Sequence, residues 1–140
     1  MQSLKIKLFV MLVLSLSLIV KSDDTSDPTF EKNFQVRHIT EGDGQNFPPA
    51  GSKVSVHYTG TFPDTGAKFD SSVDRNEQFV FTLKRGQVIR CWDEVVSRMS
   101  IGEKIKVICP YQLAYGQKGI DNVIPPAQDL AFEIELFSFR

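Results

Sequence analysis

Val88-Ile89-Arg90-Cys91-Trp92-Asp93-Glu94-Val95-Val96-Ser97-Arg98-Met99 is the stretch on which the fold turns. Val88, Trp92, Val95, Val96 and Met99 recur at spacings of three and four, while Arg90, Asp93, Glu94 and Arg98 take the other side. That pattern reads as a short amphipathic helix, and Gly102 is a natural stop for it. No other stretch has a good helical period. On both sides of it the period is two. Val54, Val56 and Tyr58 alternate with Ser55, His57 and Thr59, and Leu130, Phe132, Ile134 and Leu136 face away from Asp129, Glu133 and Glu135. Both runs are strands with one buried face. Ile105 and Val107 repeat the pattern up to Pro110, and 34–39 gives a first strand closed by Gly42, Asp43 and Gly44. Two further extended pieces, 69–72 and 79–83, are separated by the polar Asp74, Arg75, Asn76 and Glu77, a bulge or surface loop. Many strands, one helix and no repeated strand–helix alternation make an α+β domain with a largely antiparallel sheet. From 111 to 127 the chain is irregular and rich in Gly, Gln and Pro. A loop of about 17 residues points to function in so small a domain, since most connections run to about 4–6.

The chain has 140 residues and a formal net charge of −1, which bounds it to one domain and, with no long basic run, argues against nucleic acid as a partner. Two cysteines exclude a disulfide scaffold, and 11 phenylalanines supply bulk for an ordinary core. At the start, Lys5 and Lys7 precede an apolar run from Leu8 to Val20, followed by the small Ser22. That is the pattern of a secretory leader over 1–22, too short for the roughly 20 apolar residues of a spanning helix. Cleavage is expected, an uncleaved anchor being the alternative. The mature chain would then carry a charge of roughly −4 and have no membrane attachment. The chain closes Phe137-Ser138-Phe139-Arg140 without a retention signal, so endoplasmic reticulum lumen and secretion both stay open. Residues 23–33, small, acidic or Pro in their first half, read as a flexible tail before a domain at 34–140.

The common catalytic signatures are missing. His38 and His57 sit in strand patterns without ligands at metal spacing, so no metal is expected and both histidines read as surface or half-buried strand residues. Neither a Gly-x-Ser-x-Gly elbow nor a phosphate-binding Gly-rich loop occurs, and any activity here uses neither nucleophile nor cofactor. Cys91 and Cys109 form no Cys-x-x-Cys pair. Two separate buried thiols are the expected state, with a bridge as the alternative, requiring Cα atoms within about 7 Å.

Several short motifs stand together: Val56-His57-Tyr58-Thr59-Gly60, Phe69-Asp70-Ser71-Ser72, Val88-Ile89-Arg90 with Trp92, Ala114-Tyr115-Gly116, Ile124-Pro125-Pro126 and the closing strand at 130–136. In this order and spacing the chain from about Phe34 onward resembles the FKBP family of peptidyl-prolyl cis-trans isomerases, the macrolide-binding immunophilins. The resemblance implies a five- or six-stranded antiparallel sheet curled around one short amphipathic helix, with an apolar pocket between them. It implies aromatic walls from Tyr58, Phe69, Phe79 and Phe132, a floor from Trp92, and a rim from Val88, Ile89, Tyr115 and Ile124. The family's carbonyl-holding groups fall on the Ile89 N–H and the Tyr115 phenol, and Asp70 would be tied to Tyr58 and Arg75. Without the resemblance, Phe69, Phe79, Phe132 and Trp92 read as plain core, Asp70 and Arg75 as a solvated turn pair worth roughly 0–1 kcal/mol, and Tyr115 as an ordinary loop aromatic.

The implied activity is rotation of Xaa-Pro bonds during folding of secretory-pathway proteins, by a monomer without cofactor, inhibited by macrolides. A non-catalytic proline-binding module or chaperone using the same pocket is the alternative. Two departures from the family pattern stand out. Cys91 occupies a position where glycine is usual, and Ile120, Asp121, Asn122 and Val123 replace a flap stretch that often carries Gly or Pro, which bears on substrate preference.

Overall fold

The computed structural model describes residues 34–140; the leader and the tail fall outside the described residues. Six strands, β1 (Gln35–Thr40), β2 (Lys53–Thr61), β3 (Lys68–Ser71), β4 (Phe79–Thr82), β5 (Lys104–Cys109) and β6 (Leu130–Phe139), accompany one helix, α1 (Arg90–Val96), and a 3-10 turn at Tyr111–Leu113. All pairs are antiparallel, in the order β1-β5-β6-β2-β3, with β4 also paired to β2. The expected α+β class holds, at the six-stranded end of the expected range.

β2 organises the site because it has two partners along one edge. Its first half pairs with β4, Val54 opposite Phe81 and Val56 opposite Phe79, and its second half with β3, Thr59 opposite Ser71 and Gly60 opposite Asp70. Residues 72–78 are therefore pushed off the sheet edge between two short strands, with Asn76 at φ 51° making the return. The polar stretch that reads as a surface loop carries Arg75, and the geometry of β2 turns that residue back toward β3.

The period of two becomes burial directly. Val54, Val56 and Tyr58 of β2, Ile105 and Val107 of β5, and Phe132, Ile134 and Leu136 of β6 are all 2% exposed or less and share one core with Trp92, Val95 and Val96 of α1. Each such side chain contributes about 1.5–3 kcal/mol by leaving water.

The helix is shorter than its apolar pattern. Ile89 stands at ψ 147°, extended, so α1 begins only at Arg90. Beyond Val96 the bonds from Arg98 N to Val95 O and from Met99 N to Val96 O, 3.1 Å each, tighten the chain into a turn. Val88, Ile89 and Met99 are buried all the same, from backbone that is not helical. The 111–127 stretch also differs from expectation. It holds the 3-10 turn and a small hairpin in which Ile120 and Ile124 bridge, turned by Asn122 at φ 62°.

Two further differences follow from neighbours that the sequence does not name. Among the described residues β1 pairs only with β5, and Val36 is 41% exposed. Cys91 and Cys109, expected as separate thiols, are bonded to each other with Cα atoms 5.8 Å apart. The first turn of α1 crosses the end of β5, a proximity invisible to linear spacing.

Candidate active site

Five rings form one cluster at the first turn of α1. Tyr58 meets Trp92 edge to face at a centroid distance of 4.9 Å, Trp92 meets Phe132 at 5.3 Å, and Phe69 meets Phe132 at 5.7 Å. Phe79 completes it, 5.8 Å from Tyr58 and 5.9 Å from Trp92. These T-shaped contacts place the positive edge of one ring on the negative face of the next, worth about 0.5–1.5 kcal/mol each beyond burial. The five aromatic residues singled out in the sequence are thus brought together.

At the edge of the cluster a carboxylate is buried with its partners. The Tyr58 hydroxyl donates to Asp70 Oδ2, and Arg75 Nη1 donates to Asp70 Oδ1. Arg75 Nη2 closes the ring by donating to the Tyr58 hydroxyl at 3.0 Å, its guanidinium 5.8 Å from the centre of the Tyr58 ring. The Asp70 side chain is 0% exposed and that of Arg75 14%, so this is a buried network and not the solvated turn pair that sequence reading expects. Burial, and then the bond to the Asp70 carboxylate, hold the Tyr58 phenol far above its ordinary value of 10. It stays a neutral donor.

The other residues fall as follows. Ile89 and Val88 are buried immediately before α1, and the Ile89 N–H donates to no group among the described residues. Tyr115 is half-buried against the core; its phenol is raised above 10, first by burial and second by the charge of Asp70, which places the two in one electrostatic environment. Ile124 is 2% exposed and anchors the flap hairpin through its bonds to Ile120 of 2.8 and 2.9 Å. Trp92 Nε1 and Arg75 Nε are buried without a hydrogen-bond partner among the described residues. Each such orphan costs about 1–3 kcal/mol, which a core built only for stability avoids.

His57 and His38 are structural. His57 Nδ1 meets Ser72 Oγ at 2.8 Å, and His38 Nδ1 meets Glu103 Oε1 at 2.7 Å. No group of three His, Cys, Asp or Glu residues able to hold a metal occurs among the described residues.

The model of the FKBP-type peptidyl-prolyl cis-trans isomerase family matches residues 44–137. The chain belongs to the FKBP-type peptidyl-prolyl cis-trans isomerases. It is 53% identical over 102 residues to a peptidyl-prolyl cis-trans isomerase, Fkbp12, of Drosophila melanogaster, covering 73% of this chain and 94% of the relative. It is 53% identical over 106 residues to an FK506-binding protein 1A of Emericella nidulans, covering 76% and 97%. A peptidyl-prolyl cis-trans isomerase, FKBP1A, of Xenopus laevis is 48% identical over 102 residues, covering 73% and 94%.

For an FKBP-type isomerase, the cluster depends on residues that sequence reading leaves out as parts of the site. Gly60 lies opposite both Asp70 and Phe132, and a Cβ there would come within 2.5 Å of Phe69 and 3.0 Å of Phe132. The strand needs glycine so that two rings can approach it closely, and a Gly inside a strand pattern is the signal that marks close approach. Phe62 packs behind Phe69 at 5.0 Å, and Phe81 stacks with Phe79 at 5.7 Å. Nothing in the spacing of either distinguishes it from ordinary core.

Proposed function

We propose that this isomerase acts as a monomer on Xaa-Pro bonds of proteins folding in the secretory pathway, in the lumen of the endoplasmic reticulum or after secretion. In this reading Tyr58, Phe69, Asp70, Trp92, Tyr115 and Phe132 carry catalysis, and Arg75, Phe79, Val88, Ile89 and Ile124 bind the peptide or a macrolide competitor. The observation that carries the site assignment is the buried Tyr58–Asp70–Arg75 ring against the aromatic cluster. A core that served stability alone has little use for a charged network of this kind, which is as often neutral or costly as stabilising.

Rotation about Xaa-Pro breaks no sigma bond. It requires only loss of amide resonance, against a barrier of about 18–20 kcal/mol. The planar amide has the larger dipole and is held more firmly by water, so a dry aromatic pocket gripping the proline ring favours the twisted form by differential binding. The Ile89 N–H and the protonated Tyr115 phenol hold the flanking carbonyls. The Asp70 network fixes Tyr58 without giving up a proton. A reduction of the barrier by about 4 kcal/mol corresponds to roughly a thousandfold in rate and turns a wait of tens to hundreds of seconds into less than one.

Two independent features support the compartment. The leader pattern at 1–22 directs a chain to the secretory pathway, and a bond between Cys91 and Cys109 persists in an oxidising environment. The boundaries 1–22, 23–33 and 34–140 belong to the same proposal.

Expression in a secretory host, amino-terminal sequencing of the product, and isomerisation assays with a macrolide such as rapamycin test the reading. The expected product begins near Asp23, accelerates cis-to-trans conversion of an Xaa-Leu-Pro-Phe peptide, and loses that acceleration to the macrolide. A product that keeps its leader in the cytosol contradicts the compartment. Macrolide binding without acceleration would move the pocket to the binding-module class.

A further inference from the structure

The end of α1 that faces the pocket is poorly equipped to hold itself. The helix has seven residues, and Ile89 at its N-cap provides no side-chain hydrogen bond. A helix of this length is marginal in water, so its position is set by what it is fastened to. Besides the Lys84–Glu94 ion pair of 2.8 Å further along the helix, two fastenings hold the first turn. Asp93, in the first turn, accepts from Lys84 N at 2.7 Å and Gly86 N at 3.4 Å, which ties the helix to the loop leading into it. Cys91, also in the first turn, is bonded to Cys109, and both are 0% exposed.

The two halves of that bond lead to different walls of the pocket. Cys91 lies between Ile89, which offers the free N–H, and Trp92, the floor. Cys109 is the last residue of β5, and from it hangs a compact unit closed by bonds from Leu113 N to Pro110 O, 2.9 Å, and Gly116 N to Tyr111 O, 2.8 Å. Tyr115 belongs to that unit. No backbone hydrogen bond joins residues 88–92 to residues 109–116 among the described residues. The covalent bond joins the arm that carries Ile89 and Trp92 to the arm that carries Tyr115.

We propose that the Cys91–Cys109 bond is a positioning element of the isomerase site, which sets the spacing between the Ile89 N–H with its Trp92 floor and the Tyr115 phenol. The proposal rests on the reading that these groups hold the substrate's carbonyls. Cys91 stands where the family pattern usually has glycine, a position that in this chain carries the tie. Its loss loosens the two arms relative to each other while the sheet beneath, paired through β2 and β6, keeps its register. A shift of about 1 Å between holding groups costs up to about a hundredfold in a positioned reaction, and partial loosening about tenfold.

The test compares the oxidised protein with Cys91→Ala, Cys109→Ala and the double substitution, at a temperature where circular dichroism shows each one folded. A fourth sample, the wild-type chain unfolded in denaturant and refolded in reductant, keeps both side chains. Readouts are kcat and KM for an Xaa-Leu-Pro-Phe peptide and collisional quenching of Trp92, the chain's single tryptophan. The proposal expects the three variants and the reduced protein to lose about tenfold in kcat/KM to the same extent, and their Trp92 to become several-fold more open to quencher. Reoxidation of the refolded wild-type sample restores both. Unchanged kinetics and quenching beside a lowered melting temperature would overturn it and leave the bond a stabilising staple. If Cys91→Ala does not fold, Cys91→Gly, which restores the family residue, takes its place in the comparison. Tyr115→Phe in the oxidised protein separates the two levels: unchanged kinetics there would remove the reading on which the proposal rests, whatever the cysteine variants do.

Discussion

The two ends of α1 border regions of opposite character. At its first turn, rings lie 4.9–5.9 Å from one another around Tyr58 and Trp92, with a buried carboxylate, a guanidinium and an orphan indole N–H beside them. At its last turn, Val95 and Met99 face Phe34, Val36 and Ile105 across a cleft of about 440 Å³. That cleft has room, but two of its polar groups, His38 and Glu103, are occupied with each other. Glu103 accepts from Ser100 N at 2.8 Å and faces His38 at 2.7 Å, which closes the turn before β5. The uncompensated donors and the buried charge lie at the first turn and not beside that cleft.

The comparison breaks most sharply at Asp70. Asp70→Val leaves the Tyr58 hydroxyl and Arg75 without their acceptor. It should lower kcat/KM by more than tenfold and unfolding free energy by about 2–4 kcal/mol, less than for a fully buried pair because Arg75 still touches solvent. Urea titration and the peptide assay on the same sample check both. Gly60→Ala comes next. Its methyl drives into Phe69 and Phe132, so kcat/KM should fall by about tenfold with about 1–3 kcal/mol of overpacking, and a structure of the variant should show Phe69 displaced.

The other end should behave in the opposite way. Met99→Ala opens space under the last turn of α1 and should cost about 2–3 kcal/mol of stability while kcat/KM, measured well below the melting point, stays within about twofold. Kinetic loss as large as that of Gly60→Ala would erase the distinction between the two ends. The smallest effect is expected from pH. Tyr58 and Tyr115 both have folded pKa values raised above 10, so they remain protonated when the unfolded chain ionises. Their contribution to stability is fully present below about pH 10 and is lost as pH rises beyond it. A kcat/KM profile should therefore show no tyrosine inflection up to about pH 10, while the urea midpoint begins to fall above it.

How much of this could be read in advance differs between the two ends as well. The strands at 54–59 and 130–136 and the face of the helix follow from periodicity, because burial of one side of a strand or helix writes itself into the residue order. Tyr58, Phe69, Asp70, Trp92 and Phe132 could be assembled only by resemblance to a family; by pattern alone the aromatic residues are core and Asp70 is a solvated turn carboxylate, on four separate segments. Their contact depends on β2 serving two partners, which no local signal states. Arg75 reads as a solvated loop residue because the loop's return toward β3 is set by the length of β3 and β4. Gly60 had a legible signal, a glycine inside a firm strand pattern, and its reason is the ring lying over it. The Cys91–Cys109 bond was the least legible, since it joins a helix start to a strand end that are distant in the chain and adjacent only in the fold.

In the proposed mechanism a fixed aromatic pocket lowers the Xaa-Pro barrier by shape and placed donors, with no proton changing hands. The most direct test is the cis-to-trans rate of an Xaa-Leu-Pro-Phe peptide with this protein in H2O and in D2O, beside the Phe69→Tyr, Asp70→Val double substitution. Strong acceleration is expected, nearly equal in the two solvents and lost in the double substitution. A rate that falls twofold or more in D2O, or a double substitution that catalyses as well as the wild type, would contradict the mechanism.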